Sequence, residues 1–522
     1  MILSLKEFIV VFAIAIVVFR LAKPVLLKFA SPQDLARRQM VWLCLTATAF
    51  FATSFWLFAL LAIPLTIWAG RRDSNPCALY LMLLVIIPPI EVPLPMIGMP
   101  YLLMMSNFLI LSFCIMTPVA LRLFRSKDKN REIGLRFTDF CLIAYGLLTA
   151  VLYVHTIRPD GGLYPATFTD ACRRGFVFFF DVWVPYYAIS RASADRAKLV
   201  EMMATYSLSC ALLAAIGIFE AVRHWYLYGE MAVRLGAPGP GAQYLMRGTS
   251  LRAMASTGHA MALAYMLVPA YGFWLYLKNR VSQKRWRYCG TIIFWGGLFA
   301  AYTRGAWIGA VLVYFLFAAL QPHSTSRIFK ATSVAFVMGT FIYFSPLGDK
   351  VVSVLPGLGG TVDNDNIIYR ERLWHRSWEI IQHSPFFGDQ EAMLKMADVR
   401  QGEGKVDLIN AYAGILLDNG FVGLALFASF ILSALYIAWL GMRGAGTRDD
   451  DLPLIGAGLV ACIIGMLLMF ANGNFGGGPA QVFYVLAAFG VGYGSMVRLS
   501  GQDVQKPPLL IEGERRLVHP AR

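Results

Sequence analysis

YRERLWHRSWEIIQHSPFFGD, residues 369–389, lies inside a polar stretch, 349–409, of a chain whose other long segments are mostly apolar. The stretch combines arginines, carboxylates and histidines with tryptophans. Its middle predicts a helix from Asn366 to Ile381, with Asp365 as the N-terminal cap. A polar insertion of this length cannot bury a large core alone, so we expect it to pack against the rest of the molecule.

Apolar and cationic side chains fall on different faces of this predicted helix. The apolar face comprises Ile367, Ile368, Trp374, Trp378 and Ile381. Arg372 and Arg376 lie together on another face. A helix with tryptophans on one side is suited to the boundary between lipid and water.

The composition of the chain indicates a membrane protein. Of its 522 residues, 58% are hydrophobic and 15% are charged, whereas soluble proteins carry about 25% charged residues. We therefore predict an all-α polytopic membrane protein. The net charge of +15 does not indicate a nucleic-acid partner, because most Lys and Arg residues lie in short loops between apolar runs.

Apolar runs long enough to cross a bilayer, at about 20 residues each, recur along the chain. They lie near 5–22, 41–69, 77–96, 102–123, 138–157, 175–190, 199–222, 254–277, 288–303, 305–321, 331–347, 417–440, 453–471 and 479–497. We expect about 12–14 transmembrane helices. The 77–96 run contains four prolines and is expected to be broken or re-entrant.

The same runs divide the chain. Transmembrane helices are expected within 1–348 and 410–497, and a cytoplasmic tail over 498–522. The segment 349–409 is expected to be one long helical periplasmic loop that forms a lid.

Basic loops predict the orientation of the chain. The loops 122–136, 190–198, 278–287, 326–330 and 442–448 are rich in Lys and Arg and are expected in the cytoplasm. Alternation then places 349–409 on the periplasmic side. The basic loop 20–40 breaks this alternation, so either the first two spans are miscounted or this loop is an amphipathic segment at the interface.

Four arginines are expected to share the outer face. Arg252 and Arg304 stand at the ends of apolar runs, and Arg372 and Arg376 lie in the polar stretch. Arginine at a membrane boundary is costly without a partner, and guanidinium pairs bidentately with phosphate oxygens. The alternatives are snorkelling to lipid headgroups or solvated surface charge. We predict an anionic ligand, the diphosphate of a lipid-linked sugar.

Transfer of a sugar to a hydroxyl requires a proton acceptor and a stabilised leaving group. Candidate bases are His375, His383, Asp389, Glu403 and Asp407, each of which is alternatively a plain surface residue. A diphosphate held by arginines leaves readily, so no metal or other cofactor is expected. The sequence Asp363-Asn364-Asp365 fits a helix cap better than a metal site.

Three segments carry a resemblance to a known family. They are YTRGAWIGAVLVYF (302–315), RERLWHRSWEIIQHSPFFGD (370–389) and INAYAGILLDNGFVGLALF (409–427). They resemble, in this order, an arginine-glycine-aromatic helix start, a tryptophan-containing helix closed by Pro-x-x-Gly, and the entry to the next span. The family is the O-antigen ligase and polysaccharide polymerase superfamily of bacterial inner membranes, and the resemblance covers about 245–440.

The resemblance implies a multi-pass glycosyltransferase that uses undecaprenyl-diphosphate-linked oligosaccharides. It implies that Arg252, Arg304 and Arg372 hold the diphosphate. Arg376, on the same helix face as Arg372, is a further candidate. The residues expected to position sugars are His259, Asn410 and Tyr412.

The proton acceptor departs from the family pattern. Ile409 stands where ligases of the superfamily have a histidine, directly before the asparagine that matches Asn410. We therefore expect Asp407, or else His383 or Asp389, to act as the base. The missing histidine favours a polymerase of repeat units of an exported polysaccharide over an O-antigen ligase that acts on lipid A-core.

A flippase for the same lipid-linked sugar is the rival from another class. Transporters tend to show paired halves with matched broken helices, and the proline-broken run 77–96 has no evident counterpart. This favours an enzyme. The expected partners are the undecaprenyl-diphosphate-linked oligosaccharide and membrane lipids, and other polysaccharide assembly proteins stay open as partners.

Overall fold

The structure is a computed structural model. It describes residues 2–86, 88–98, 101–125, 134–155, 157–158, 164–237, 246–247, 250–321, 326, 328–329, 332–333, 364–400, 406, 408–445 and 451–505. This part of the chain consists of helices and three short antiparallel hairpins, β1–β2, β3–β4 and β5–β6.

The bounds of these elements are as follows. The helices are α1 (Ile2–Leu26), α2 (Pro32–Phe51), α3 (Phe55–Arg72), α4 (Pro76–Leu83), α5 (Asn107–Arg125), α6 (Phe137–Leu152), α7 (Phe168–Phe178), α8 (Val184–Ala192), α9 (Arg196–Arg223), α10 (Gly229–Arg234), α11 (Ala260–Leu277), α12 (Lys284–Ala300), α13 (Arg304–Ala319), α14 (Asn364–His383), α15 (Ala392–Lys395), α16 (Ala411–Ala445), α17 (Leu452–Phe470) and α18 (Gly477–Gln505). The strands are β1 (Glu91–Pro93), β2 (Met104–Ser106), β3 (Ile157–Arg158), β4 (Tyr164–Pro165), β5 (Met246–Arg247) and β6 (Ser250–Leu251).

Eight helices of the described residues are long and apolar enough to cross a membrane. They are α1, α3, α5, α9, α11, α16, α17 and α18, and α6 and α13 are shorter apolar helices. The predicted fold class, an all-α polytopic membrane protein, is confirmed. The expected total of 12–14 crossings stays a prediction, because most of the run 331–347 lies outside the described residues.

The apolar run 41–69 is not one span but parts of two helices, α2 and α3. The chain breaks at Ala52, and Ser54 then caps α3 by accepting the backbone N–H of Leu57 at 3.3 Å. Three small residues make this break, so hydropathy does not reveal it. The prediction of one span over 41–69 was therefore wrong, and of the two helices α3 is the one long and apolar enough to cross a membrane.

The basic loop 20–40 contacts the basic loop 278–287. Lys28 Nζ donates to the carbonyl of Arg280 at 3.1 Å and to Ser282 Oγ at 2.7 Å. Nearby, fully buried Arg38 pairs with Asp73 at 2.6 Å and with Glu201 at 2.8 Å. A buried charge is tolerated only when paired, so these contacts join α2, α3 and α9 at the end of the bundle where basic loops gather.

The proline-rich run 77–96 is broken, in agreement with the sequence. Helix α4 ends at Leu83, and the hairpin β1–β2 follows, with Glu91 opposite Ser106. Proline removes a backbone donor and ends helices. The turn at Pro88 and Pro89 lies beside Gly258, so this segment forms one wall near the end of α9.

The loop helix α14 is longer than predicted. It begins at Asn364, so Asp365 lies within its first turn and the predicted cap is wrong. Leu373, Ile380 and Ile381 are buried, but Trp374 and Trp378 are exposed by 47% and 39%. The tryptophans therefore do not share the buried face with Ile381, because the helix packs its leucine-isoleucine side against the start of α16.

A backbone clasp joins the end of this loop helix to α16. The N–H of Asp389 donates to the carbonyl of Leu417 at 2.7 Å, and the N–H of Phe421 donates to the carbonyl of Pro385 at 2.8 Å. Gly388 and Gly420 have φ of +74° and +62°, and a side chain on either would overlap backbone of the facing segment. The motifs HSPFFGD and LLDNGF thus hold α14 over the bundle.

We expect Gly388→Ala and Gly420→Ala each to destabilise the protein by at least about 2 kcal/mol, because both the left-handed conformation and the close backbone approach exclude a methyl group. Thermal unfolding of the purified full-length protein measures this. Gly476→Ala is the control, since no atom lies within 4 Å of its added carbon. Equal melting temperatures for all three variants would contradict the clasp.

Candidate functional site

Arg252 lies at the corner where α12 ends and α13 begins. It directly follows β6, and 8% of it is exposed. Its Nη2 group donates to Thr303 Oγ1 at 3.4 Å, and the N–H of Ala253 donates to the carbonyl of Ala300 at 2.9 Å. These contacts fix the segment after β6 against the end of α12 and the start of α13.

Arg304 is the first residue of α13, and Thr303 is the N-cap. Tyr302 has φ of +50°, a left-handed conformation that costs a non-glycine residue about 1–2 kcal/mol. This tight turn lets α12 end and α13 begin within three residues. The Nε atom of half-buried Arg304 has no hydrogen-bond partner among the residues that the structure describes.

Thr303 connects the two arginines, since Arg252 donates to its side chain and Arg304 follows it in the chain. The N-terminus of α13 adds a partial positive charge, and backbone N–H groups at a helix start are suited to anions. Guanidinium forks prefer ligands with several oxygens, such as phosphates. The structure therefore brings Arg252 and Arg304 together as the sequence requires, and their binding of a diphosphate stays a prediction.

His259 is the N-cap of α11, close to Arg252. Its Nδ1 atom accepts the backbone N–H of Met261 at 3.1 Å, so the proton of the neutral ring is on Nε2. Burial and then the positive charge of Arg252 lower the pKa of His259. The lowered pKa favours the neutral imidazole, and because Nδ1 accepts the Met261 N–H, the ring is suited to donate from Nε2 rather than to act as a base.

A cavity of about 190 Å³ lies beside the Arg252 segment. Its walls include Pro88, Tyr226, Thr257 and His259. Tyr226 links it to the arginine, because its hydroxyl donates to the carbonyl of Arg252 at 3.0 Å. The cavity is largely apolar and borders the cationic corner.

One residue of this region, Glu220, was not predicted. It lies in α9, is fully buried and lines the same cavity. The sequence did contain a signal for it, since Glu220 is an acidic residue inside the apolar run 199–222. An ionisable residue in a membrane segment indicates a functional role.

A further arginine of the loop helix, Arg370, lies within electrostatic range of the bundle. Arg370 is exposed and acts electrostatically on the Tyr265 hydroxyl. That hydroxyl donates to the carbonyl of Met469 at 2.7 Å. It lies beside Gly305, the residue after Arg304. Arg370 is therefore close enough to Tyr265 to add positive charge to the region near Gly305.

The predicted loop arginines have other surroundings. Arg376 Nη1 pairs with Glu379 at 2.8 Å, and Nη2 donates to the carbonyl of Lys395 at 3.1 Å. It thus links α14 to α15 within the loop. Arg372 is exposed on α14. The diphosphate role of Arg372 and Arg376 stays a prediction, and the described contacts do not bring Arg376 to the corner.

The candidate bases are in contrasting positions. The carboxylate of Asp389 pairs with Lys395 at 2.5 Å and accepts the N–H of Glu391 at 2.9 Å, so it stabilises the turn into α15. His383 is exposed at the end of α14. Asp407 lies outside the described residues. Their assignment as base stays a prediction.

His375 and Glu403 are the other two candidate bases. His375 is exposed, and Glu403 lies outside the described residues. Within the described ranges, no three His, Cys, Asp or Glu side chains gather as metal ligands, and metal independence stays a prediction.

Asn410 and Tyr412 have structural partners. Asn410 Oδ1 accepts the N–H groups of Tyr412 at 2.9 Å and Ala413 at 3.2 Å, so it caps α16. The Tyr412 hydroxyl donates to the carbonyl of Leu467 at 2.7 Å, which joins α16 to α17. A role in positioning sugars stays a prediction for both.

Comparison with known proteins agrees with the resemblance seen in the sequence. Residues 289–428 match a family model described as O-Antigen ligase, and the resemblance is thereby confirmed for this region. The matched residues include Arg304, α14 and the clasp, and Arg252 lies outside them. A comparison with curated proteins found no match.

We expect Arg304→Ala to lower sugar transfer from a lipid-linked donor by about 100-fold or more. Removal of one hydrogen-bond donor that stabilises developing negative charge lowers the rate by about 10²–10³. Arg304→Lys should recover only part, since lysine lacks the planar fork. Both are assayed in membranes with equal amounts of protein. Arg223→Ala, an exposed arginine at the end of α9, is the control. If Arg304→Ala transfers sugar at the wild-type rate, Arg304 is not the main group that binds the diphosphate.

Proposed function

We propose that this chain, an enzyme of the O-antigen ligase or polymerase type by its residues 289–428, polymerises undecaprenyl-diphosphate-linked oligosaccharide repeat units. The product is a cell-surface or exported polysaccharide. The reaction takes place at the periplasmic face of the bacterial inner membrane, on the side of the bundle where the loop helix α14 lies. The observation that supports this most is the juxtaposition of Arg252 and Arg304 through Thr303.

The diphosphate of the donor binds at this corner. Arg252 and Arg304 contact its oxygens, and Arg370 approaches from α14. When the acceptor hydroxyl attacks the anomeric carbon, the bond from that carbon to the diphosphate oxygen breaks and negative charge grows on the diphosphate. Cations and a helix N-terminus stabilise that charge where it develops. A single displacement inverts the configuration of the anomeric carbon.

Neutral His259 adds a directed hydrogen bond. Its Nε2–H can donate to a phosphate or sugar oxygen without the repulsion that a third full charge would add beside Arg252. A neutral donor also distinguishes oxygen acceptors by geometry rather than by charge. This supports its assignment to positioning rather than to proton transfer.

We assign the acceptor proton to Asp407. It precedes the cap residue Asn410 by three positions, and that cap sits where the loop enters α16. The carboxylate of Asp389 is engaged by Lys395 and by the N–H of Glu391, so its oxygens are occupied in holding the turn into α15. Asp407 is the remaining predicted carboxylate near the position where Ile409 replaces the histidine of related ligases.

Ile409 also supports polymerisation over ligation. The second candidate function is an O-antigen ligase that transfers lipid-linked polysaccharide to lipid A-core, and the description of the matched family favours it. Both reactions use the same kind of donor and the same anion site. They differ in the acceptor, which is another lipid-linked repeat for a polymerase.

Deletion of the gene distinguishes these two functions. We expect long polysaccharide chains to disappear while single repeat units persist, because only chain growth requires a polymerase. Gel separation of surface and lipid-linked glycans measures this. Accumulation of long, lipid-linked chains that are not attached to lipid A-core would instead establish the ligase.

We expect Asp407→Asn to reduce the turnover number by about 10²–10⁴-fold, the usual contribution of a general base. The donor KM should change little. Asp389→Asn should lower the melting temperature more than the turnover number, since it removes the Lys395 pair. Turnover is measured at saturating donor. A large loss of turnover in Asp389→Asn with normal turnover in Asp407→Asn would transfer the base to Asp389.

A further inference from the structure

Glu220 accepts three backbone hydrogen bonds at the end of α9. Its Oε1 atom accepts the N–H of Leu227 at 3.0 Å. Its Oε2 atom accepts the N–H groups of Met254 at 3.0 Å and Ala255 at 2.8 Å. The side chain is fully buried. A buried carboxylate is costly unless its oxygens are hydrogen-bonded, and these three donors meet that requirement.

The three donors belong to two segments that are separate in the sequence. Leu227 is in the turn after α9, and Met254 and Ala255 follow Arg252 by two and three residues. Ala255 has φ of +47°, a conformation that a non-glycine residue adopts only when its surroundings impose it. The hydrogen bond from its N–H to Glu220 is one such constraint.

Arg252 is therefore fixed from two sides by one buried carboxylate. On one side, Glu220 holds the residues after it. On the other, Glu220 holds the turn that contains Tyr226, whose hydroxyl donates to the carbonyl of Arg252 at 3.0 Å. The Arg252 guanidinium then reaches Thr303 beside Arg304.

We propose that Glu220 is a positioning residue that holds Arg252 and His259 in the geometry needed to bind a diphosphate. This proposal rests on the proposed function. Glu220 does not act as the base, because both of its carboxylate oxygens are already engaged by backbone N–H groups. The site needs an acceptor-only side chain, since glutamine would point its NH₂ group at one of the three N–H donors.

Inorganic pyrophosphate is the probe for this proposal. Its affinity for purified full-length protein in detergent is measured by calorimetry on the folded fraction. We expect Glu220→Gln to weaken binding by at least about tenfold, because one buried N–H is left facing a donor. Glu220→Asp, which keeps the carboxylate, should recover part of the affinity.

Two further variants separate positioning from general stability. Tyr226→Phe introduces no unpaired charge and should weaken pyrophosphate binding by about fivefold, the effect of one hydrogen bond. Glu201→Gln is the matched control, since it removes a buried carboxylate at the opposite end of α9, where the partners are Arg38 and Asn75. It should lower stability but leave pyrophosphate affinity unchanged.

The outcomes separate the two proposals. If Arg252→Ala loses pyrophosphate binding while Glu220→Gln and Tyr226→Phe bind it as wild type does, the role of Glu220 is overturned and the anion site stands. Equal weakening of binding by Glu220→Gln and Glu201→Gln overturns the role of Glu220 in the same way. If wild-type protein does not bind pyrophosphate, or Arg252→Ala and Arg304→Ala bind it normally, the proposed function itself falls.

Discussion

A partly desolvated guanidinium at the start of an apolar helix is the constraint on which the site depends. Arg304 begins α13 with its Nε atom buried, and Arg252 donates to Thr303, the residue before it. Two neighbouring cations repel each other, and the helix N-terminus adds to the positive potential. An anion with several oxygens would relieve all three effects at once, which is why we propose a diphosphate rather than a neutral sugar as the ligand of this corner.

Elements far apart in sequence keep this corner in place. The turn at Tyr302 sets the angle between α12 and α13, and Glu220 holds the segment after Arg252. The clasp through Gly388 and Gly420 fixes the end of α14 above the bundle. Each device uses backbone hydrogen bonds, whose geometry tolerates little displacement. Catalytic groups positioned in this way lose little entropy when the substrate binds.

The sequence predicted the fold class, and it indicated that Arg304 lies at a helix end, because both have local signals. Long apolar runs indicate helices that span a membrane, and an arginine between two such runs must lie at a boundary. The break at Ala52 was not predictable, because small residues leave hydropathy unchanged. The partners of Arg376 and Asp389 depend on how α14 meets α15, and periodicity within one helix carries no information about that contact.

Determination of the structure of the full-length protein with bound undecaprenyl diphosphate tests the central claim most directly. The diphosphate should lie at the start of α13, with its oxygens in contact with the guanidinium groups of both Arg252 and Arg304. Density for the diphosphate at the opposite end of the bundle, near Arg38 and Lys28, or at the corner without contact to either arginine, would contradict it.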